Sequence, residues 1–223
     1  MVILTSRSLK IGTIIDKTLG VVEHGMKPTL IYVVGLTLIN AAIGYYTVGM
    51  TAPMDQVVIG LGKFVVGVVT AYVLFDALLR RTGLISRTEG DVFLPYVGLS
   101  ILYTLGVVAG MIAIVIPGLV IMARWMIAQP LLIGRGYGVR QALGESWERT
   151  RGSEFTILGA WFALALPLLA VVIACAILFD PADPIGIVIT QLASSAMSVV
   201  SLAMGVAVYG LIVGKESQAA AFA

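Results

Sequence analysis

Six apolar stretches, each about as long as a bilayer is thick, constrain this chain more than anything else in it. A helix needs about 20 predominantly apolar residues to cross a hydrocarbon core of ~30 Å. Segments near 28–50, 56–79, 92–116, 118–134, 153–179 and 185–213 meet that length. Only 12% of the residues are charged and 59% are hydrophobic, whereas a soluble domain carries about a quarter charged residues. The expected fold is therefore all-α, a polytopic transmembrane helical bundle of six spans forming one integral membrane domain over 1–223. The fourth span is the weakest, being short, holding Arg124 and interrupted by Gln129-Pro130. The apolar region from Val92 to Gly134 is nevertheless too long for one helix, and Ile116-Pro117-Gly118 offers the turn chemistry to fold it in two.

Charge sorting orients these spans. Of the 14 Lys and Arg residues, Arg7, Lys10, Lys17 and Lys27 precede the first span, and Arg80, Arg81 and Arg87 lie between the second and third. Arg135, Arg140, Arg149 and Arg151 lie between the fourth and fifth, and Lys215 follows the sixth. An even number of crossings puts all of these on one side, leaving Asp55, Asp180 and Asp183 on the other. By the positive-inside rule both termini are expected in the cytoplasm. The first residues meet Arg7 and Lys10 before any long apolar run, so a cleaved signal peptide is not expected.

Two segments are amphipathic rather than apolar. Within 1–27, Ile11, Ile14, Ile15, Leu19 and Val22 recur at helical spacing among Lys10, Asp16, Lys17 and Glu23. Such a helix either lies flat on the headgroups or docks on the bundle. Within 138–152, Val139, Leu143 and Trp147 recur at i, i+4 and i+8, so a second interfacial helix is expected before the fifth span. Trp147 would anchor it at the interface, with Arg140 and Arg151 toward anionic headgroups, or would pack under the bundle. Each amphipathic helix is followed by a span, an acidic turn and a returning span, a weak sign of parallel duplication. Residues 214–223 read as a tail.

Small residues mark where helices approach: Gly106 and Gly110 in the third span, Thr37, Ala41 and Gly44 in the first, and Ser194, Ser198, Ser201 and Gly205 in the sixth. Close packing is the expected use of the serine stripe, ahead of a polar pore lining.

Lys63 and Arg124 are the costly residues, because cations inside a span are rare and mark functional sites by default. Counted from the ends of their spans, both are expected roughly 10 Å below the outer boundary, without an evident carboxylate partner. They either snorkel outward or, joined by Gln129 or Asn40, hold an anionic group such as a phospholipid phosphate. Asp76 is better placed to pair with Arg80 at i+4.

Catalytic chemistry has little support. His24 is the only histidine and reads as a solvated helix end, and Cys175 is the only cysteine and reads as a buried thiol. Metal-ligand spacing is absent, no phosphate-cradling glycine loop occurs, and Gly134-Arg135-Gly136-Tyr137-Gly138 reads as a flexible exit from the fourth span. No cofactor, metal or nucleic-acid partner is expected, and the protein is not expected to be an enzyme.

The run Ile116-Pro117-Gly118-Leu119, Ala123-Arg124-Trp125, Ala128-Gln129-Pro130, Gln141-Ala142-Leu143 and Ser146-Trp147-Glu148-Arg149-Thr150-Arg151-Gly152 resembles the membrane domain found ahead of some bacterial glycerophosphoryl diester phosphodiesterases. It also resembles stand-alone inner-membrane proteins of the YciC type. The motif-bearing part is short, while the six-span layout extends over nearly the whole chain. An acidic residue commonly follows the fourth helix in that family, where this chain has Gly134-Arg135. The resemblance implies an inner-membrane protein and imports no phosphodiesterase activity, since the catalytic domain has no counterpart here.

Three functions follow as expectations: a non-enzymatic, lipid-associated membrane scaffold, a transporter or channel for an anionic or amphiphilic solute, and an accessory subunit of a larger membrane complex. The expected partners are membrane phospholipids, other membrane proteins or a second copy of the chain.

Overall fold

Every element of the computed structural model is an α-helix. The structure describes residues 9–87 and 91–221, with side chains through Val213. Arg7 and the Lys215 side chain, both used in the charge count, lie outside the described residues, as does the reading of the first residues. In order, the helices are α1 (Ile11–His24), α2 (Met26–Tyr46), α3 (Pro53–Arg81), α4 (Phe93–Ala113), α5 (Val115–Arg124), α6 (Ala128–Arg135), α7 (Val139–Arg149), α8 (Glu154–Leu178) and α9 (Pro184–Ala221). Helices α2, α3, α4, α8 and α9, together with the α5–α6 pair, are each long and apolar enough to cross a membrane. The chain is an all-α polytopic bundle of six such spans.

The α4–α5 hairpin turns one step earlier than the sequence suggests. The turn is at Ile114, and Pro117 sits inside the first turn of α5. The same shift occurs at the break in the fourth span: the turn is at Trp125 to Ile127, and Pro130 lies in the first turn of α6. A proline is tolerated there because the first-turn N–H groups lack intrahelical acceptors in any case. Both prolines therefore start helices instead of making the turns.

Two ends can be told apart. One gathers α1, the end of α3 and the later part of α9, with the basic side chains; the other carries Asp55 in the first turn of α3 and Asp180 and Asp183 on the α8–α9 connection. The acidic Asp183 is a cap, its Oδ1 accepting the N–H groups of Ile185 and Gly186 at 2.8 and 3.0 Å.

Packing is concentrated toward the basic end. Leu74, Phe75, Leu78 and Leu79 of α3, Leu131, Leu132 and Ile133 of α6, and residues 203–209 of α9 are all buried. Toward the acidic end, Val57, Val58, Leu61 and Val65 of α3, Leu105, Val108 and Ile112 of α4, and Ile173, Ile177 and Leu178 of α8 are exposed. In water each would forfeit about 1.5–3 kcal/mol of burial; against lipid tails, which are as apolar as leucine, there is no such loss.

The amphipathic helix α1 docks on the bundle: Ile14 and Val21 are buried, and Ile11 packs over Gly159 of α8. Helix α7 buries a different face from the one its aliphatic spacing suggests. Ala142, Ser146 and Thr150 point inward, while Trp147 is at the rim. The reason is hydrogen bonding, because Ser146 Oγ and Thr150 Oγ1 donate to the Arg124 carbonyl at 2.6 and 3.1 Å.

Candidate functional site

Arg124 is the centre of a structural node. Its carbonyl receives the two α7 hydroxyls, its Nη1 donates to the Trp147 carbonyl at 3.0 Å, and its guanidinium lies 4.8 Å from the Trp147 ring centroid. The guanidinium also pairs with Glu154 at the first turn of α8, with both side chains largely shielded. This corrects the expectation that Arg124 lacks a carboxylate: Glu154 is folded back to it once α7 is in place. Trp147 meets Trp125 edge-on at 6.5 Å, so it serves the α5–α7 contact. Arg140 and Arg151 are exposed, without ion-pair partners among the described residues.

Lys63, Arg124 and Gln129 are not gathered into one site. Lys63 is half-buried, ten residues into α3, with no hydrogen-bond or ion-pair partner among the described residues. Arg124 is drawn to Glu154 in the first turn of α8, and Lys63 shares no hydrogen bond or ion pair with it. Gln129 faces the interior and its Nε2 donates to Ser100 Oγ at 3.4 Å.

Gln129 lines a central chamber of about 520 Å³ between α2, α3, α4, α6, α8 and α9. Tyr32, Tyr96, Tyr103, Trp161, Ser194, Ser198 and Ser201 also line it, and no charged side chain does. The three serines thus border a cavity, while Gly205 of the same stripe packs closely, a Cβ there standing 3.1 Å from the Met126 carbonyl. The serines are tied down locally, Ser198 donating to the Ser194 carbonyl at 3.1 Å, and Ser201 accepting from Trp161 Nε1 at 3.0 Å. The other small residues do pack closely. A Cβ on Gly106 would stand 2.3 Å from the Trp125 ring, and one on Gly110 would stand 2.8 Å from Gly118 Cα. Thr37 donates to Ser195 across α2 and α9 at 3.2 Å.

A second cavity, of about 370 Å³, opens at the basic end between α1, the end of α3 and α9. Lys17, His24, Arg81 and Thr82 line it above an apolar floor that includes Val21, Leu84, Val206 and Leu211. Lys17 and Arg81 are exposed and have no ion-pair partner among the described residues, and no carboxylate lines the cleft. Nearby cations are committed elsewhere: Asp76 holds Arg80 at 2.6 Å and Arg87 at 2.9 Å, and Glu145 holds Arg149 at 2.6 Å. The His24 ring meets the Gly20 carbonyl through Nδ1 at 2.7 Å, which turns its other nitrogen outward. Sequence reasoning missed this cleft because Lys17 and His24 belong to α1 and Arg81 to α3, and only the docking of α1 unites them.

The Gly134–Gly138 segment is not a loose exit. The Gly134 carbonyl accepts the N–H groups of Ser86 and Arg87 at 2.8 and 3.0 Å, and Gly136 takes the left-handed conformation that ends α6. Among the described residues no three His, Cys, Asp or Glu side chains converge in a way that could hold a metal.

Fold and cavities together define a multi-pass α-helical membrane protein. Comparison with family models, curated proteins and solved structures finds no match, so its functional reading rests on geometry.

Proposed function

We propose that this protein is a non-enzymatic, lipid-associated protein of a bacterial inner membrane, with both termini cytoplasmic, and that it holds an anionic phospholipid headgroup in the basic cleft. The observation that carries this reading is the pairing of Lys17 with Arg81, without carboxylate company, over an apolar floor. A phosphodiester between them would gain two charge-assisted contacts. Its acyl chains would run along Val21 and Leu211. Each cation near an anionic membrane surface contributes about 1 kcal/mol, and a cleft adds geometry to that field. The cation sorting supports the cytoplasmic placement of this cleft, and the resemblance to the phosphodiesterase-associated and YciC-type membrane domains implies only an inner-membrane protein. The alternative of a conducting path for an anion is weaker, because neither Lys63 nor Arg124 lines the central chamber.

The test is native mass spectrometry of the full chain from nanodiscs holding phosphatidylglycerol in phosphatidylcholine. The wild-type chain should retain phosphatidylglycerol, and Lys17→Gln/Arg81→Gln should retain about tenfold less. Gly20→Leu, which builds a side chain where nothing lies within 4 Å, should lose it without altering charge. Equal retention by all three chains would refute the reading.

A further inference from the structure

We infer that the central chamber is a second, independent ligand site, which takes an uncharged lipid bearing hydroxyl or carbonyl oxygens. Its chemistry differs from that of the basic cleft in each respect that selects a ligand. No Asp, Glu, Lys, Arg or His lines it, so a charged headgroup would be left uncompensated at membrane depth, at a cost of several kcal/mol. What the walls offer is neutral hydrogen bonding beside aromatic rings, the composition of a site for an oxygenated amphiphile.

Two groups have capacity to spare. The Tyr103 hydroxyl has no hydrogen-bond partner among the described residues, and in a hydrocarbon surrounding an unused hydroxyl is costly. Gln129 commits one N–H, at the long distance of 3.4 Å, to Ser100, leaving its carbonyl oxygen open to a donor. A ligand hydroxyl donating to the Gln129 carbonyl while a ligand oxygen accepts from Tyr103 would satisfy both. Trp161 and the serines, already bonded to each other or to their own helices, would shape the wall.

The access route is sideways from the bilayer. The ring contacts that join α3 to α4 are Tyr72 with Phe93, Tyr72 with Tyr96 and Phe75 with Tyr96, all toward the basic end. Further along α3, Gly67 borders the chamber with nothing within 4 Å of where its Cβ would be. The neighbouring Val65 and Val69 are exposed. A lipid can therefore place its oxygenated head inside and leave its chains along the exposed aliphatic flank. Diacylglycerols and long-chain isoprenoid alcohols share this chemistry.

Gly67 gives the test, because a Cβ there meets nothing within 4 Å, so a leucine extends into the chamber and also improves helix propensity. The full chain is placed in phosphatidylcholine nanodiscs doped either with a diacylglycerol or with a polyprenol, and retained lipid is read by native mass spectrometry. The wild-type chain and Gly60→Leu, a change at an open position on the same helix that does not line the chamber, should retain one of the two. Which one is retained identifies the source. Gly67→Leu should retain about tenfold less. Tyr103→Phe, which removes one oxygen and keeps the ring, should weaken retention and decides the matter if Gly67→Leu does not fold. The Lys17→Gln/Arg81→Gln chain should keep its neutral lipid, which separates this site from the basic cleft. Retention of neither lipid, equal retention by Gly67→Leu, or displacement by glycerol from the aqueous phase would overturn the inference.

Discussion

Arg124 and Glu154 form an ion pair between the end of α5 and the start of α8, with 14% and 12% of their side chains exposed. A pair this shielded is a weak source of net stability, yet removing one partner strands the other charge. Glu154→Gln and Arg124→Leu should each cost about 3–5 kcal/mol, read as a loss of the denaturation midpoint in detergent. The double variant Arg124→Leu/Glu154→Leu should recover most of that loss. Additive losses in the cycle would show that the two side chains do not act as a pair.

Gly134 lies where three segments cross. An added Cβ would stand 3.1 Å from Tyr209 Oη and 3.2 Å from the Leu84 carbonyl, and the latter is backbone that cannot swing aside. Gly134→Ala should destabilise by about 1–3 kcal/mol, despite the better helix propensity of alanine. Gly144→Ala, in α7 with nothing within 4 Å, should instead stabilise by about 0.4–1 kcal/mol. Thermal unfolding of the two variants gives opposite shifts if the crossing is as tight as described.

The α4–α5 hairpin depends on Gly106 accepting the Trp125 ring. Gly106→Val should lower the melting temperature by several degrees, a loss of about 1–3 kcal/mol from overpacking. Trp125→Ala placed on top of it should return part of the loss by vacating the space. A double variant worse than either single one would contradict the packing.

Membrane orientation can be read with cysteines, because the native Cys175 is buried. Thr51→Cys and Ala182→Cys, on the α2–α3 and α8–α9 connections, should react with a membrane-impermeant maleimide in intact cells. Arg140→Cys, in α7, and Arg151→Cys, just after it, both at exposed positions, should react only after permeabilisation. The reverse pattern would invert the topology and remove the cytoplasmic placement of the basic cleft.

The six spans, the all-helical class and the segregation of cations to one end are properties of local composition, and they were legible residue by residue. The cost of leaving a backbone N–H unpaired in hydrocarbon forces each apolar run into a helix whatever its neighbours do. The Asp76–Arg80 pair was legible for the same reason, since i and i+4 meet on any helix.

What the sequence alone could not decide is which faces meet. Glu154 reaches Arg124 only because α7 binds the Arg124 carbonyl through Ser146 and Thr150, and hydroxyl spacing of that kind looks like surface polarity in a linear reading. Lys17, His24 and Arg81 are brought to one cleft by the docking of α1, where headgroup adsorption and bundle docking ask for the same amphipathic pattern. The serine stripe of α9 faces a chamber because the buried packing gathers toward the basic end. In lipid, apolar burial between helices gives little direction, so sparse hydrogen bonds and glycine contacts choose the partners, and those are set by tertiary structure.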